Sequence, residues 1–447
     1  MSKYLKRPIL NISSCEGKNI KPEVKRFVAL EGVRGLAAII VVFHHFFLAF
    51  YPVLVFGPGD PQHTRFEDNI HNSPLALIYA GTFAVAIFFV LSGFVLTIGF
   101  FQTKSEKIIK KLASKRYLRL MLPALAVTML SLMLIKLGFA HNITEVAKIT
   151  GSSWLAGTWS FNANFLDALY SGTVGIFVQG GSPYDNVLWT MLTEFIGSFI
   201  VFAFVLLFGR SRHRWVSYVA MFIFTFNTWF LPFIVGMALA DLYASGYLEV
   251  LKKKRWVTGA LLGAIAFGSF PAFGASSTTY GLFSKQIFTN INIDYKVLYL
   301  TLGASLLIFA VLISKRLSGW LEKPRVSNLG KYTFSLYLIH LLVLYTVGTS
   351  LFLFLSPHFG YNTTVAITIP ASLIVVVFAT MLFERYVDAP AVRFSGVVAR
   401  IFENDESFGF KKYATRIRRR VQRVQGALLR RPRPAEEPLV EQITTEL

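Results

Sequence analysis

Glu31-Gly32-Val33-Arg34-Gly35-Leu36-Ala37-Ala38-Ile39-Ile40-Val41-Val42-Phe43-His44-His45-Phe46 is an apolar run that carries one arginine near its start and two histidines further along. At ~100° per residue, the eleven steps from Arg34 to His45 make about three turns, so both side chains share a face roughly 16 Å apart. His44 is rotated by about 80° from Arg34 and is the weaker partner. A titratable group inside a membrane span is costly and marks a functional site by default. The competing reading is an arginine that only anchors the helix and a histidine satisfied in the core. The co-facial pair favours the functional reading.

The rest of the chain supplies the membrane. Of its 447 residues, 54% are hydrophobic and only 15% charged, against about 25% charged in soluble domains. The fold class is therefore all-α and polytopic. Ten apolar runs, near 35–56, 75–101, 117–139, 187–208, 214–228, 230–246, 256–275, 297–314, 332–355 and 363–387, reach or approach the length of the hydrocarbon core. Lysine and arginine collect before the first span and after the second, fourth, sixth and eighth, which puts both termini in the cytoplasm. The weakest step is 214–246, which must be two short helices broken at Asn227-Thr228. The net charge of +21 suits a face lying on anionic lipid, not nucleic acid. Cys15 is the only cysteine, which rules out an intrachain disulfide or a cysteine metal site, and no histidine pair has zinc-ligand spacing. The N-terminus lacks an apolar h-region, so no cleavable signal is expected.

Three parts follow: a polar, basic segment 1–26, a membrane domain 27–395, and a tail 396–447. In the tail Phe410, Tyr413, Ile417, Val421, Val424 and Leu428 recur at helical steps among arginines and lysines. This reads as a basic amphipathic helix on anionic lipid, followed by a disordered acidic end. The long outer loop 141–186 mixes Trp154, Trp159, Phe161, Phe165 and Tyr170 with Gly, Ser and Asn. It reads as an interfacial loop, with a sugar-binding platform as the alternative.

Further polar groups sit inside the spans. Ser92-Gly93 in Phe88–Phe94 allows close approach of a helix or a ligand. Arg116 and Arg119 are neighbours on one helix side, suited either to phosphate or to anchoring. Glu194, with Trp189 before it, lies about 10 Å in from the outer end of its helix and must pair, protonate or act. Tyr337 and His340 are co-facial in Gly330–His340. Glu384 and Asp388 read as local capping at the end of the last span.

Taken in order, these motifs resemble the acyltransferase 3 family of integral-membrane acyltransferases, over roughly 27–395. The match rests on Glu31-Gly32-Val33-Arg34-Gly35 with His45, on Phe88–Phe94, on Arg116-Tyr117-Leu118-Arg119 before Pro123, on Trp189 with Glu194, and on Ser335–His340. The chain departs from the usual pattern at Lys115-Arg116, where paired arginines are common, and at Asp388, where a glutamate is common. The resemblance implies O-acyl transfer, usually acetyl from acetyl-CoA, to a hydroxyl of a sugar, glycan or lipid-linked glycan, in the stand-alone form without a fused esterase-like domain. It implies His45, Arg34 and Glu194 as catalytic, with Arg116, Arg119, Ser92 and Gly93 at the donor. It places Trp189, Tyr337 and His340 at the substrate. The partners are then acyl-CoA as co-substrate, a hydroxyl-bearing acceptor and anionic lipid, with no metal or tightly bound cofactor, in a bacterial inner membrane. A secondary transporter or a non-catalytic subunit of a glycan-export assembly are the rival readings. Acceptor identity, acyl length, the side of modification and oligomeric state are left open.

Overall fold

The computed structural model describes residues 27–59, 61–271, 273, 280–281 and 295–402. The N-terminal segment with Cys15 and the amphipathic tail lie outside the described residues. Each of the ten apolar runs forms a helix. They are α1 (Val28–Phe50), α2 (Gly81–Thr103), α3 (Glu106–Lys136), α4 (Thr190–Phe208), α5 (Arg214–Thr225), α6 (Leu231–Ala244), α7 (Lys254–Gly268), α8 (Tyr295–Ile313), α9 (Leu329–Val343) and α10 (Tyr361–Phe383). Single π-turns, Leu344–Gly348 and Glu384–Asp388, carry α9 on to Leu355 and extend α10. No β-strand occurs among the described residues. The fold is one unit that ends at Ser395, and the chain from Gly396 on forms a second.

Seven of these helices are long and apolar enough to cross a membrane. The three that fall short are α5, α6 and α7, with 12, 14 and 15 residues. At 1.5 Å per residue, 14 residues span only about 21 Å, which is why the 214–246 stretch was the weak point of the sequence pattern. The break falls where the pattern put it, between Thr225 and Leu231.

The basic loops gather on one face. Arg210 bonds the Lys104 carbonyl and pairs with Glu106. Arg214 holds Asp241 through two bonds, and the start of α1 packs on the short helices Lys315–Leu321 and Pro324–Ser327. On the opposite face Phe50 stacks on Phe352, and Tyr51 donates to Asn362. Such sidedness is what the lysine and arginine bias demands.

α2 is the central helix: it is apolar on every side and 83% of its most apolar stretch is buried, as expected of a helix with no polar stripe. α6, α1, α8 and α4 all pack on it. A Cβ on Gly93 would run into the Phe233 carbonyl, and one on Gly236 into the Val90 carbonyl. α2 and α6 therefore touch backbone to backbone through a reciprocal glycine pair. Gly93, expected at the donor site, instead faces α6. A second such crossing, Gly35 on Leu329 and Gly330 on Glu31, locks α1 to α9 at the basic face.

The 141–186 stretch is more than a surface loop. Phe139–Thr150 packs on the continuation of α9. The helical run Phe165–Val178 lies along α3 and α4, down to the level of Tyr117 and Phe195. Tyr117 donates to the Thr173 carbonyl, and Gly172 meets Leu125. Phe165, Leu166 and Val178 stay exposed, as suits an apolar helix dipping into lipid from the opposite face. Buried backbone in lipid must be satisfied internally, and a helical segment meets that demand.

Candidate active site

The α1–α9 crossing sets Arg34 beside the first turn of α9, and a cavity of about 270 Å³ opens there. It runs between α2, α3, α4 and α9. Arg34, Ser92, Arg116, Arg119, Glu194 and Tyr337 all line it, as do Lys331 and Asp388. Six of the ten residues picked from the sequence thus share one cavity.

Its electrostatics are graded. At the mouth Lys331 is 59% exposed and pairs with Glu384 at 3.4 Å. Arg34 pairs with Glu31 at 3.0 Å, and Arg119 with Asp388. Arg119 also lies over the Phe334 ring, and Asp388 takes a bond from Ser335 at 3.4 Å. Asp388 is therefore no mere cap: it ties α3 and α9 to the end of α10. Deeper in, Arg116 and Glu194 form an ion pair, and Ser92 donates to Glu194 at 2.7 Å. Arg116 also donates to the Ser198 hydroxyl and the Glu194 carbonyl, both on α4. Arg116, expected to hold a donor phosphate, lines the cavity and also ties α3 to α4. Phe88, Phe89, Val85, Met191 and Phe334 make the inner part apolar.

Tyr337 closes the inner end. Its hydroxyl lies 3.0 Å from both the Thr190 hydroxyl and the Val187 carbonyl. One turn further along α9 is His340, fully buried. His45 and His340 do not line the cavity; they pair with each other behind Tyr337. By helix rise His45 lies about 25 Å from Val28 and about 8 Å from Phe50, nearer the opposite face. His340, expected at the substrate, hydrogen-bonds to His45.

Hydrogen-bond partners fix which ring nitrogen carries the proton. His340 Nδ1 is 2.9 Å from the Leu336 carbonyl, which only accepts, so the proton is on Nδ1 and Nε2 is an acceptor. His45 Nδ1 is 3.1 Å from that Nε2 and 2.9 Å from the Val41 carbonyl, so it donates. His45 Nε2 is left as a bare base. Glu194, expected to be catalytic, accepts from Arg116 and Ser92. Trp189, expected at the substrate, packs on Trp229 and does not line the cavity. The sequence reading missed Lys331 as a site residue and placed Trp154 only in the outer loop, whereas its ring lies 5.6 Å from that of His45. Among the described residues no three His, Cys, Asp or Glu side chains gather as metal ligands.

Asp185, just before α4, is a separate burial problem. Its carboxyl is fully buried, Oδ1 accepts from the Val187 N–H, and Oδ2 has no partner. Burial pushes its pKa up to about 8, with the Val187 bond pulling the other way. An unfolded aspartate releases its proton near pH ~4. Between these values the folded chain holds the extra proton, so stability falls as pH rises. Thermal unfolding in detergent should therefore occur at a higher temperature at pH 6 than at pH 8, and Asp185→Asn should flatten that slope.

The site thus joins a cationic mouth and an apolar slot, with an imidazole pair behind them, inside a helical membrane fold. The chain matches the family described as Acyltransferase domain over residues 27–384, and it belongs to that family. It is 28% identical over 243 residues to the O-acetyltransferase PaAT-1 of Phomopsis amygdali, a match covering 48% of each chain. It is 21% identical over 449 residues to Acyltransferase R4 of Phoma sp. (strain ATCC 20986 / MF5453), covering 81% of this chain and 93% of that protein. The aligned stretch thus spans about half the length of the first relative and nearly all of the second. No solved structure matches the chain.

Proposed function

We propose that the chain moves an acyl group, of which acetyl is the simplest, from acyl-CoA to a hydroxyl of a sugar, glycan or lipid-linked glycan. The observation that carries the reading is the cavity on the basic face, cationic at its mouth and apolar within. At about 270 Å³ it lies just under the ~300–1,000 Å³ usual for small-molecule sites. An extended pantetheine arm suits it, with the nucleotide and its phosphates left at the mouth. Arg34, Arg119 and Lys331 are the cations there, each able to turn from its carboxylate to a phosphate. The arm points at Tyr337, whose side chain must yield for a thioester to reach His45.

His45 Nε2 then takes the proton of the acceptor hydroxyl as its oxygen attacks the thioester carbonyl carbon. The C–S bond breaks, and the thiolate recovers the proton from the imidazolium, giving ester and free thiol. The basic tail is proposed to rest on anionic lipid.

The test is steady-state transfer from acetyl-CoA in proteoliposomes. Arg34→Gln should raise KM for acetyl-CoA by about tenfold, the value of one charge-assisted hydrogen bond. The more exposed Lys331→Gln should raise it by about two- to fivefold. Both effects should shrink at high salt. An unchanged KM in both variants would remove the donor assignment.

A further inference from the structure

The donor's path takes up one side of His45. An extended pantetheine arm fills the cavity and arrives past Tyr337, so the acceptor hydroxyl must meet the same imidazole from another direction. His44 does not open one. Its Nδ1 lies 3.0 Å from the Tyr79 carbonyl, and it lines a second cavity, of about 30 Å³, which His45 does not border. His45 lines neither cavity, yet it is only half-buried, whereas His340 beside it is fully buried. The nearer end of α1 is the one at the opposite face, about 8 Å along the helix.

Trp154 stands on that side. Its ring centroid is 5.6 Å from that of His45, and the run of rings continues through Tyr345 at 5.8 Å to Trp159, 5.1 Å further. Tyr345 sits in the π-turn Leu344–Gly348 that prolongs α9 beyond His340. The two tryptophans differ. Trp159 is 4% exposed and its Nε1 donates to the Tyr184 carbonyl, so it belongs to the core; Trp154 is half-buried. The short helix Ser153–Ala156 that carries Trp154 is fastened at its entry. Ser152 Oγ donates to the Leu48 carbonyl at 2.8 Å, one turn past His45 on α1, and accepts from the Leu155 N–H at 3.4 Å. Just before it, the Thr150 carbonyl accepts from His63 Nε2 at 2.9 Å, and a Cβ on Gly151 would run into Pro61. Leu155 is fully buried. The indole is therefore a fixed aromatic surface against His45. A large ring held beside a bare base is a surface on which the carbon skeleton of a hydroxyl compound packs.

We infer that Trp154 is the acceptor-side wall of the reaction site and a specificity-determining residue: the acceptor reaches His45 along the indole, and the indole keeps that route too narrow for free entry of water. The inference rests on the acyltransferase reading and names the residue that decides between acceptor and water within it. With the wall in place, the oxygen that gives its proton to His45 Nε2 and attacks the thioester carbon is the acceptor's. With the wall removed, water does both. Its oxygen bonds to the acyl carbon, the C–S bond breaks, and the thiolate recovers the proton from the imidazolium, giving the free acid and the thiol.

The test uses the full chain in proteoliposomes and two readouts. The first is modification of His45 by diethyl pyrocarbonate, which attacks unprotonated imidazole nitrogen, followed by peptide mass spectrometry with no acetyl-CoA present. Trp154→Ala should speed it by about three- to tenfold, while the exposed His141 is modified at the wild-type rate. Trp154→Phe keeps an aromatic ring and should give a smaller rise, so it reports even if Trp154→Ala does not fold. The second readout is release of CoA from acetyl-CoA with water as the sole acceptor. Trp154→Ala should raise it by a similar factor, while the calorimetric affinity for acetyl-CoA, bound at the far side of Tyr337, stays within about twofold. A merely structural Trp154 would lower the unfolding temperature and raise neither rate. Unchanged or slower modification of His45 in both variants overturns the wall. Faster modification without faster hydrolysis keeps the wall but shows that no thioester reaches His45, which overturns the acyltransferase reading and the acceptor role with it.

Discussion

His45→Gln should lower kcat for acyl transfer by about 10²–10⁴-fold, the range lost when a positioned general base is removed. The substitution removes the bare Nε2 and can keep an amide N–H near the Val41 carbonyl and His340 Nε2, which the wild-type Nδ1 serves at 2.9 and 3.1 Å. Folding should therefore survive, and the thermal unfolding temperature in detergent should stay within a few degrees of wild type. His340→Gln acts one step away. His340 Nε2 accepts from His45 Nδ1 and so holds the tautomer that presents Nε2. Its loss should cost about 10- to 100-fold in kcat, the worth of one strong hydrogen bond, and should move the acid limb of the pH–rate profile. A purely structural His340 would lower stability and leave that limb in place. Full turnover by His45→Gln at matched protein level would eliminate the proposed base.

The division of labour between Arg34 and His45 shows what a single helix can and cannot reveal. Their shared face was legible, because eleven helical steps return to the same side whatever surrounds the helix. Their destinations were not. Arg34 lines the cavity, whereas Tyr337 stands between that cavity and His45, and Tyr337 belongs to a helix about 300 residues away in sequence. The same limit applies at Ser92-Gly93. Two adjacent small residues point about 100° apart, so Ser92 reaches Glu194 while Gly93 meets the backbone of α6. Arg116, Arg119, Glu194 and Tyr337 could be found together because polar groups are expensive in lipid and converge where they can satisfy one another. Lys331 escaped notice because a lysine at a helix start looks like any other anchor.

Fold legibility followed helix length. The long apolar runs announced themselves, and the lysine and arginine bias gave them a common face. Phe165–Val178 did not, because 14 residues with two glycines and a serine fall short of a span and resemble a loop. Its helical state comes from packing on α3 and α4, which no local pattern encodes. His44 was discounted for its rotation from Arg34, although that rotation is what aims it at the second cavity.

Glu194→Ala should be the most destabilising change in the cavity wall. It leaves the Arg116 guanidinium, 13% exposed, without its carboxylate and Ser92 without its acceptor. Breaking a buried ion pair from one side costs about 3–5 kcal/mol, because the remaining charge stays desolvated. Water reaching the cavity puts this case at about 3 kcal/mol, seen as a large drop in the unfolding temperature in detergent. Replacing both partners, Arg116→Met with Glu194→Leu, should recover most of that loss, since a packed apolar pair of similar volume is often neutral. Glu194→Gln separates clamp from catalyst. The amide still accepts from Ser92 and Arg116, so turnover should fall by less than about tenfold, in step with a modest loss of stability. If instead Glu194→Gln lost more than about a hundredfold in kcat with its unfolding temperature intact, the carboxylate would be acting on the reacting atoms, and Arg116 would be tuning a base and not fastening two helices.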